Sequence, residues 1–458
     1  MQEQKFTIED LRKIVSSGET RSESWRRLQL KRLSNLLNQN QNAILKALYA
    51  DLQKPQTEAF FEILALKQEL KVCQQKLSKW MKPKSIEVPL WLKPGKAYVI
   101  NEPLGCVLVI GAWNYPFMLS LHPLISALAA GNTAVLKPSE YAPATSGLIE
   151  KLISQTFPNN VVRVLQGDEH FSEKLLSHNF DHIFFTGGTE TGRKIMAAAA
   201  KTLTPITLEL GGKNPAVVLE GADINTTAKR LVWGKSLNAG QTCLAPNHLF
   251  VQREIRTQLI EKLKFYINSF YGENPNNSDN IASINKRQFK RVIDLINNAK
   301  AKNQILHGGE VNLNERKVSP TIISLNDSDD SFIKEEIFGP ILPIWDIQNI
   351  DHAINLIREQ SKPLSIYMFG GSNQDKEKLL RMTSSGGVCF NDVIMHAGIP
   401  ELPFGGVGDS GTGRYHGQAG FETFSHQKSV LDRPFWLDLK FRYPPYNIDI
   451  SFLNRIMR

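Results

Sequence analysis

A thiol and a carboxylate stand in this sequence where neither is an ordinary choice. Cys243 ends the small, flexible stretch Asn238-Ala239-Gly240-Gln241-Thr242-Cys243. A thiolate there can attack an electron-poor carbon and hold it covalently. Taken alone, Cys243 fits a buried core cysteine better. Upstream, Glu209 sits in Thr207-Leu208-Glu209-Leu210-Gly211-Gly212-Lys213, a carboxylate within an apolar strand just before two glycines. Burying it unpaired costs several kcal/mol, and such a site raises its pKa towards that of a general base. Taken alone, it equally fits a structural ion pair.

A third feature is a glycine turn. The apolar run 182–185 leads into Thr186-Gly187-Gly188-Thr189-Glu190-Thr191-Gly192 and then a helical stretch, 193–200. A strand, a glycine turn and a helix start together aim free backbone N–H groups at a pyrophosphate. Arg193 and Lys194 stand where a Walker A loop needs Lys-Ser/Thr. Gly406, Gly408 and Gly411 also spell GxGxxG, but they follow Pro400 and Pro403 rather than a strand and read as a flexible loop.

These groups need a scaffold. The first 80 residues carry apolar positions at helical spacing, among them Leu33, Leu36, Leu37, Ile44 and Leu48. Beyond Pro83, Pro89 and Pro94 the texture becomes short apolar runs alternating with helical stretches. Residues 97–100, 106–110, 133–136, 161–165 and 182–185 read as strands, with 119–130 and 145–155 as helices between them. A second series begins near Lys213, with strands at 216–219, 249–251, 321–323 and 365–369 and a helix at 224–238. Such alternation predicts an α/β fold of doubly wound parallel sheets. The last forty residues lose it.

Composition narrows the classes. The 458 residues are 41% hydrophobic and 22% charged, the balance of a globular protein with large cores. A net charge of +9 is mild at this length, and no dense basic run appears, so no nucleic-acid partner is expected. Cys73, Cys106, Cys243 and Cys389 share no metal or redox spacing, so neither a metal nor a disulfide framework is expected. A cytoplasmic protein is the natural reading. MQEQKFTIED has no apolar core, so no signal peptide is expected.

Taken together, the motifs resemble the aldehyde dehydrogenase superfamily. Trp113-Asn114-Tyr115-Pro116-Phe117 looks like its oxyanion-hole motif, and Leu136-Lys137-Pro138-Ser139-Glu140 like its adenosine-ribose motif. Glu209-Leu210-Gly211-Gly212-Lys213 resembles the general-base signature, and Gly240-Gln241-Thr242-Cys243 the nucleophile signature. Glu335-Glu336-Ile337-Phe338-Gly339-Pro340 resembles the nicotinamide-ribose motif. Pro403-Phe404-Gly405-Gly406-Val407-Gly408, Tyr415-His416-Gly417 and Arg442-Tyr443-Pro444-Pro445-Tyr446 are similar to the class 3 branch, which oxidises fatty and aromatic aldehydes.

The resemblance implies Cys243 as nucleophile, Glu209 as base and Asn114 as oxyanion donor. It implies a cofactor site for NAD, with NADP as the second candidate, at Trp113, Lys137, Glu140, Gly187, Gly188, Gly192, Leu210, Glu336 and Phe338. Tyr115, Met118, Ile394 and Phe404, apolar or aromatic and beside the motifs, are the expected substrate contacts for an apolar aldehyde. The implied division is a Rossmann-like cofactor domain at 1–84 and 101–209, a catalytic domain at 210–400, and a bridging, oligomerising β element at 85–100 and 418–445. A homodimer is implied. The tail mixes Phe435, Trp436, Leu437, Leu439, Phe441, Phe452, Leu453, Ile456 and Met457 with Lys440, Arg442, Arg455 and Arg458. It reads first as a dimer arm, with peripheral membrane contact as the alternative.

The sequence also departs from the family. Gly188 replaces a common Ser, Arg414 a usually small residue, and Asn247-His248 the frequent Asp-Tyr, with no role expected for the last pair. The rival functions are a CoA-acylating dehydrogenase, which commonly lacks the base that Glu209 supplies, and a non-catalytic lipid- or membrane-binding relative.

Overall fold

Apolar runs with no polar side form the centre of both main sheets. Cys106–Ile110, Thr133–Lys137 and Ser365–Phe369 are buried at every position, as strands covered by helices on both faces must be. A computed structural model describes residues 8–325, 331–438, 442–446, 449–451 and 454. One sheet runs, in spatial order, Gly411–Thr412, Ile206–Leu210, His182–Gly187, Cys106–Ile110, Thr133–Lys137, Val162–Val164. All its pairs are parallel except Gly411–Thr412 against Ile206–Leu210.

The other large sheet has the order Ile305–His307, Thr321–Ser324, Ile341–Ile347, His248–Gln252, Pro215–Val218, Ser365–Phe369, Gly387–Phe390. It is parallel but for its first pair. An antiparallel sheet of Lys84–Ile86, Lys96–Pro103 and Ser425–Asp432 stands apart from both. This is the doubly wound α/β architecture expected from the alternation of strands and helices.

The expected glycine loop is tighter than its composition implies. A Cβ on Gly411 would lie 2.2 Å from the Leu208 carbonyl oxygen, and one on Gly406 2.0 Å from that of Ser410. Its glycines permit close backbone approach to the strand that carries Glu209, with Gly411 registered opposite that residue. In the tail, Phe435 and Trp436 are exposed. Leu439, Lys440, Phe441, Phe452, Leu453, Arg455, Ile456, Met457 and Arg458 lie outside the described residues.

Helices Gln41–Leu52 and Gln56–Met81, with the turn between them, position the site through a buried ion pair. The Pro116–Ala130 helix opens with proline at its first turn, where the ring suits the helical φ. Its free N–H groups at Phe117 and Met118 donate to Glu62 Oε2 at 3.2 and 3.0 Å. Lys54 Nζ lies 2.6 Å from Glu62 Oε1, both side chains fully buried, and donates at 3.0 Å to the Asn114 carbonyl. The ammonium also sits 4.1 Å over the Tyr115 ring.

Breaking one partner of such a pair strands the other charge. Lys54→Met should therefore destabilise the protein by about 3–5 kcal/mol in urea unfolding, and Lys54→Met with Glu62→Met should recover part of that loss.

Candidate active site

Helix Ile224–Ser236 ends just before Cys243 in a local backbone constraint. Asn238 and Ala239 both take φ of +53° and ψ of +35°, a left-handed kink that costs any residue with a Cβ. Hydrogen bonds hold it there. The Asn238 N–H donates to Glu58 Oε2 at 2.8 Å, and its Nδ2 to the carbonyls of Asn114 and Gln241 at 2.9 and 3.1 Å. Gln241 Nε2 donates to the Asn238 and Ser283 carbonyls, and its Oε1 accepts from the Asn285 N–H.

The kink sets Asn114 and Cys243. Asn114 Nδ2 donates at 3.1 Å to the Gln241 carbonyl, which fixes the amide through one of its two hydrogens. The Cys243 carbonyl accepts from Asn214 Nδ2 at 2.6 Å. Burial pushes the Cys243 thiol up to about 12, with the charges of Glu336 and Glu209 adding to the rise. Glu209 is buried with neither carboxylate oxygen hydrogen-bonded, and burial lifts its pKa well above the ordinary carboxylate range.

One cleft of about 1090 Å³ brings Asn114, Glu209 and Cys243 together with Trp113, Lys137, Glu140, Gly187, Gly188, Leu210, Glu336 and Phe338. Lys137 Nζ meets Glu140 Oε2 at 2.5 Å, and Trp113 meets the Phe338 ring edge-on with centroids 5.5 Å apart. Glu336 Oε1 accepts from the Gly212 N–H at 3.3 Å. A Cβ on Gly211 would fall 2.1 Å from Glu336 Oε2, so the carboxylate occupies the space that a side chain there would fill. Burial raises the Glu336 pKa to about 7, opposed by the Gly212 N–H, Arg291 and Lys235. Gly192 does not line the cleft; its missing Cβ lets helix Thr189–Ala200 pack on Leu210.

None of the four candidate substrate residues lines this cleft. Tyr115 is buried, and its hydroxyl sits 2.6 Å from Thr242 Oγ1, tying the Asn114 turn to the Cys243 loop. Half-buried Met118 packs on the helical core, and Ile394, at φ +65°, on the core of the second sheet. Phe404 stacks on His416 at 5.1 Å.

Several positioning residues carry no sequence signal of their own. Lys54 in a turn and Glu58 and Glu62 on a helix are unremarkable polar positions until the fold turns them inward. Asn247, expected to have no role, accepts from the Ile337 N–H at 2.8 Å and donates to the Glu335 carbonyl at 3.2 Å. It therefore fixes the backbone on either side of Glu336. His248 packs on Phe250, and burial lowers its pKa to about 3. Arg414 is exposed, 4.0 Å from Glu422. A Cβ on Gly188 would meet nothing within 4 Å, so no close contact demands glycine there.

Residues 4–430 match the model of the aldehyde dehydrogenase family, and the chain belongs to that family of oxidoreductases. It is similar to 4,4'-diaponeurosporen-aldehyde dehydrogenase of Staphylococcus aureus (strain NCTC 8325 / PS 47), 40% identical over 100% of this chain and 99% of the relative. It is also similar to the dimeric, NADP-preferring aldehyde dehydrogenase of Rattus norvegicus, 42% identical over 96% and 97% of the two chains. The solved structure described as the substrate bound state of Staphylococcus aureus AldH superposes with a TM-score of 0.95 at 38% identity, covering 98% of each chain. Class 3 likeness extends to family 3 member H1 of Arabidopsis thaliana, 41% identical over 96% of this chain and 92% of the relative.

Because the resting thiol lies far above neutral pH, iodoacetamide labelling of Cys243 should rise about tenfold per pH unit from neutral to pH 9. Glu336→Gln removes a negative charge that disfavours the thiolate. Above pH 7, labelling of that variant should run severalfold faster at each pH, as read by peptide mass spectrometry.

Proposed function

We propose that the protein oxidises an apolar aldehyde (long-chain fatty, isoprenoid-derived or aromatic) to its carboxylic acid, with NAD as cofactor and NADP as the second candidate. The observation that carries this reading is the convergence of Cys243, Asn114 and Glu209 in one cleft with Lys137, Glu140 and Glu336. The dinucleotide fits the residues present. Lys137 and Glu140 hold the adenosine ribose, the start of helix Thr189–Ala200 offers backbone N–H groups to the phosphates, and Glu336 holds the nicotinamide ribose. The charge of Glu140 opposes a 2′-phosphate, which favours NAD unless Lys137 compensates.

The chemistry follows from the side chains. Cys243 gives up its proton to solvent and Sγ bonds to the carbonyl carbon, whose π electrons move to the oxygen as a negative charge. The free hydrogen of the Asn114 amide and the Cys243 backbone N–H stabilise that oxyanion. When bound, the oxidised nicotinamide supplies the acceptor for the aldehyde's hydride. The acyl group then rests on Cys243 as a thioester. Glu209 takes a proton from water as the water oxygen bonds to the acyl carbon; the C–S bond breaks and the acid leaves.

Glu209 also argues against CoA as the acyl acceptor, because CoA-acylating dehydrogenases commonly lack this base. The relative named for diaponeurosporen-aldehyde favours the isoprenoid-derived member of the substrate class, and the relative named dimeric favours a homodimer. In this reading 1–84 and 101–209 bind the cofactor, 210–400 carry the nucleophile, and 85–100 with 418–445 bridge protomers. Exposed Phe435 and Trp436 fit an arm laid on the partner. Phe435→Ser with Trp436→Ser should shift sedimentation towards monomer; an intact dimer that loses liposome binding would favour membrane contact instead. Among the described residues no helix is long and apolar enough to cross a membrane.

The test is NAD+ and NADP+ reduction over short, long-chain, isoprenoid-derived and aromatic aldehydes. Activity should rise with apolar bulk and vanish in Cys243→Ala, while Asn114→Ala should lower kcat about 100- to 1000-fold. A wild type silent with every aldehyde, with or without CoA, would leave the binding-protein reading instead.

A further inference from the structure

The mechanism leaves a second buried polar cluster unused. Glu69 on helix Gln56–Met81, His122 on helix Pro116–Ala130 and His416 are 0%, 4% and 8% exposed. The two imidazoles lie 4.4 Å apart, and His122 Nε2 stands 3.9 Å from Glu69 Oε2, beyond hydrogen-bond reach. His122 Nδ1, His416 Nδ1 and Glu69 Oε2 all lack a hydrogen-bond partner. Buried polar atoms are as a rule paired, and three orphans in one place point to a group that binds among them.

The cluster is held rigidly. Glu69 Oε1 accepts from the Gly417 N–H at 2.8 Å and from Cys73 Sγ at 3.5 Å, which fixes its carboxylate. His416 is clamped by the Phe404 ring, and its backbone takes φ of +76° and ψ of +135°, a region that side chains avoid. Such strain at a buried imidazole marks a side chain whose position matters.

Its place relates it to the reacting centre. Tyr415 packs edge-on against His122 and His416, with centroids 5.1 and 4.5 Å apart. Beyond the effect of burial, the charges of Glu209, Cys243 and Glu69 all raise the Tyr415 hydroxyl. None of the three cluster residues lines the cofactor cleft. His122 lies one turn beyond Met118 and ~9 Å along the helix axis from Pro116, close to Asn114. Met118 and Phe404 supply half-buried apolar surface nearby.

We propose that Glu69, His122 and His416 form a subsite for one neutral hydroxyl, carried by the aldehyde remote from its carbonyl. This rests on the functional reading above and narrows it to apolar aldehydes with a single distal hydroxyl. A hydroxyl both donates and accepts, and so can satisfy a carboxylate oxygen and imidazole nitrogens at once. Burial lowers the His122 pKa to about 3 and that of His416 well below its usual value, so both rings are neutral. With both rings neutral and Glu69 lifted by burial to about 7, the site holds no fixed full charge near neutral pH to compensate a substrate carboxylate or cation taken out of water.

The experiment compares kcat/KM for methyl-terminated and ω-hydroxy aldehydes of equal, medium chain length, with NAD+. The wild type should prefer the hydroxylated partner about tenfold. The preference should fall to near unity in His122→Leu and persist in His122→Gln, which keeps a donor and an acceptor. Titration with NAD+ by tryptophan fluorescence confirms that each variant is folded. A wild type that oxidises both aldehydes without preference overturns the subsite and leaves the functional reading standing, as does a preference unchanged in His122→Leu. A wild type that oxidises neither overturns the functional reading, and the subsite with it.

Discussion

Everything at the site depends on a left-handed kink that has no stability of its own. Asn238 and Ala239 hold that shape because Glu58, Asn114 and Gln241 engage the backbone and side chain of Asn238 from three directions. The Asn114 carbonyl that receives one of those bonds is itself gripped by Lys54, whose charge is matched by Glu62, which in turn caps the helix after Asn114. Asn114 and Cys243 thus share one hydrogen-bonded frame, although they follow elements of different sheets. Losing any member would move both.

The electrostatics of the cleft follow from the same burial. Cys243, Glu209 and Glu336 are all shifted upward, chiefly by removal from water, and two negative charges near a thiol make its ionisation harder still. A resting enzyme so built keeps its thiol protonated, which protects it from casual oxidation. The unpaired oxygens of Glu209 fit the same logic, since a carboxylate already satisfied by the protein would be a poor base for water.

Much of this was legible in the sequence, and the remainder was not for identifiable reasons. The sheets could be read because buried parallel strands are continuous apolar runs, as at 106–110 and 365–369. Glu209 and Cys243 stood out because a carboxylate within an apolar strand and a thiol after a small-residue loop are locally anomalous. Lys54, Glu62 and Asn247 gave no such signal, since their burial is created by elements distant in the chain. The role of the Tyr115 hydroxyl was hidden for a related reason: it serves Thr242, distant in the chain. The glycines at 406–411 read as a flexible loop yet serve close backbone contact with the Glu209 strand, which composition alone does not carry.

The division of labour between Cys243 and Glu209 is the central claim, and one measurement addresses it directly. A Glu209→Gln variant mixed with aldehyde and NAD+ should be analysed by intact-protein and peptide mass spectrometry. The account predicts an acyl adduct on the Cys243 peptide that persists, because the thioester forms and water is not activated to remove it. An unmodified Cys243 with turnover undiminished, or an adduct on another residue, would contradict it.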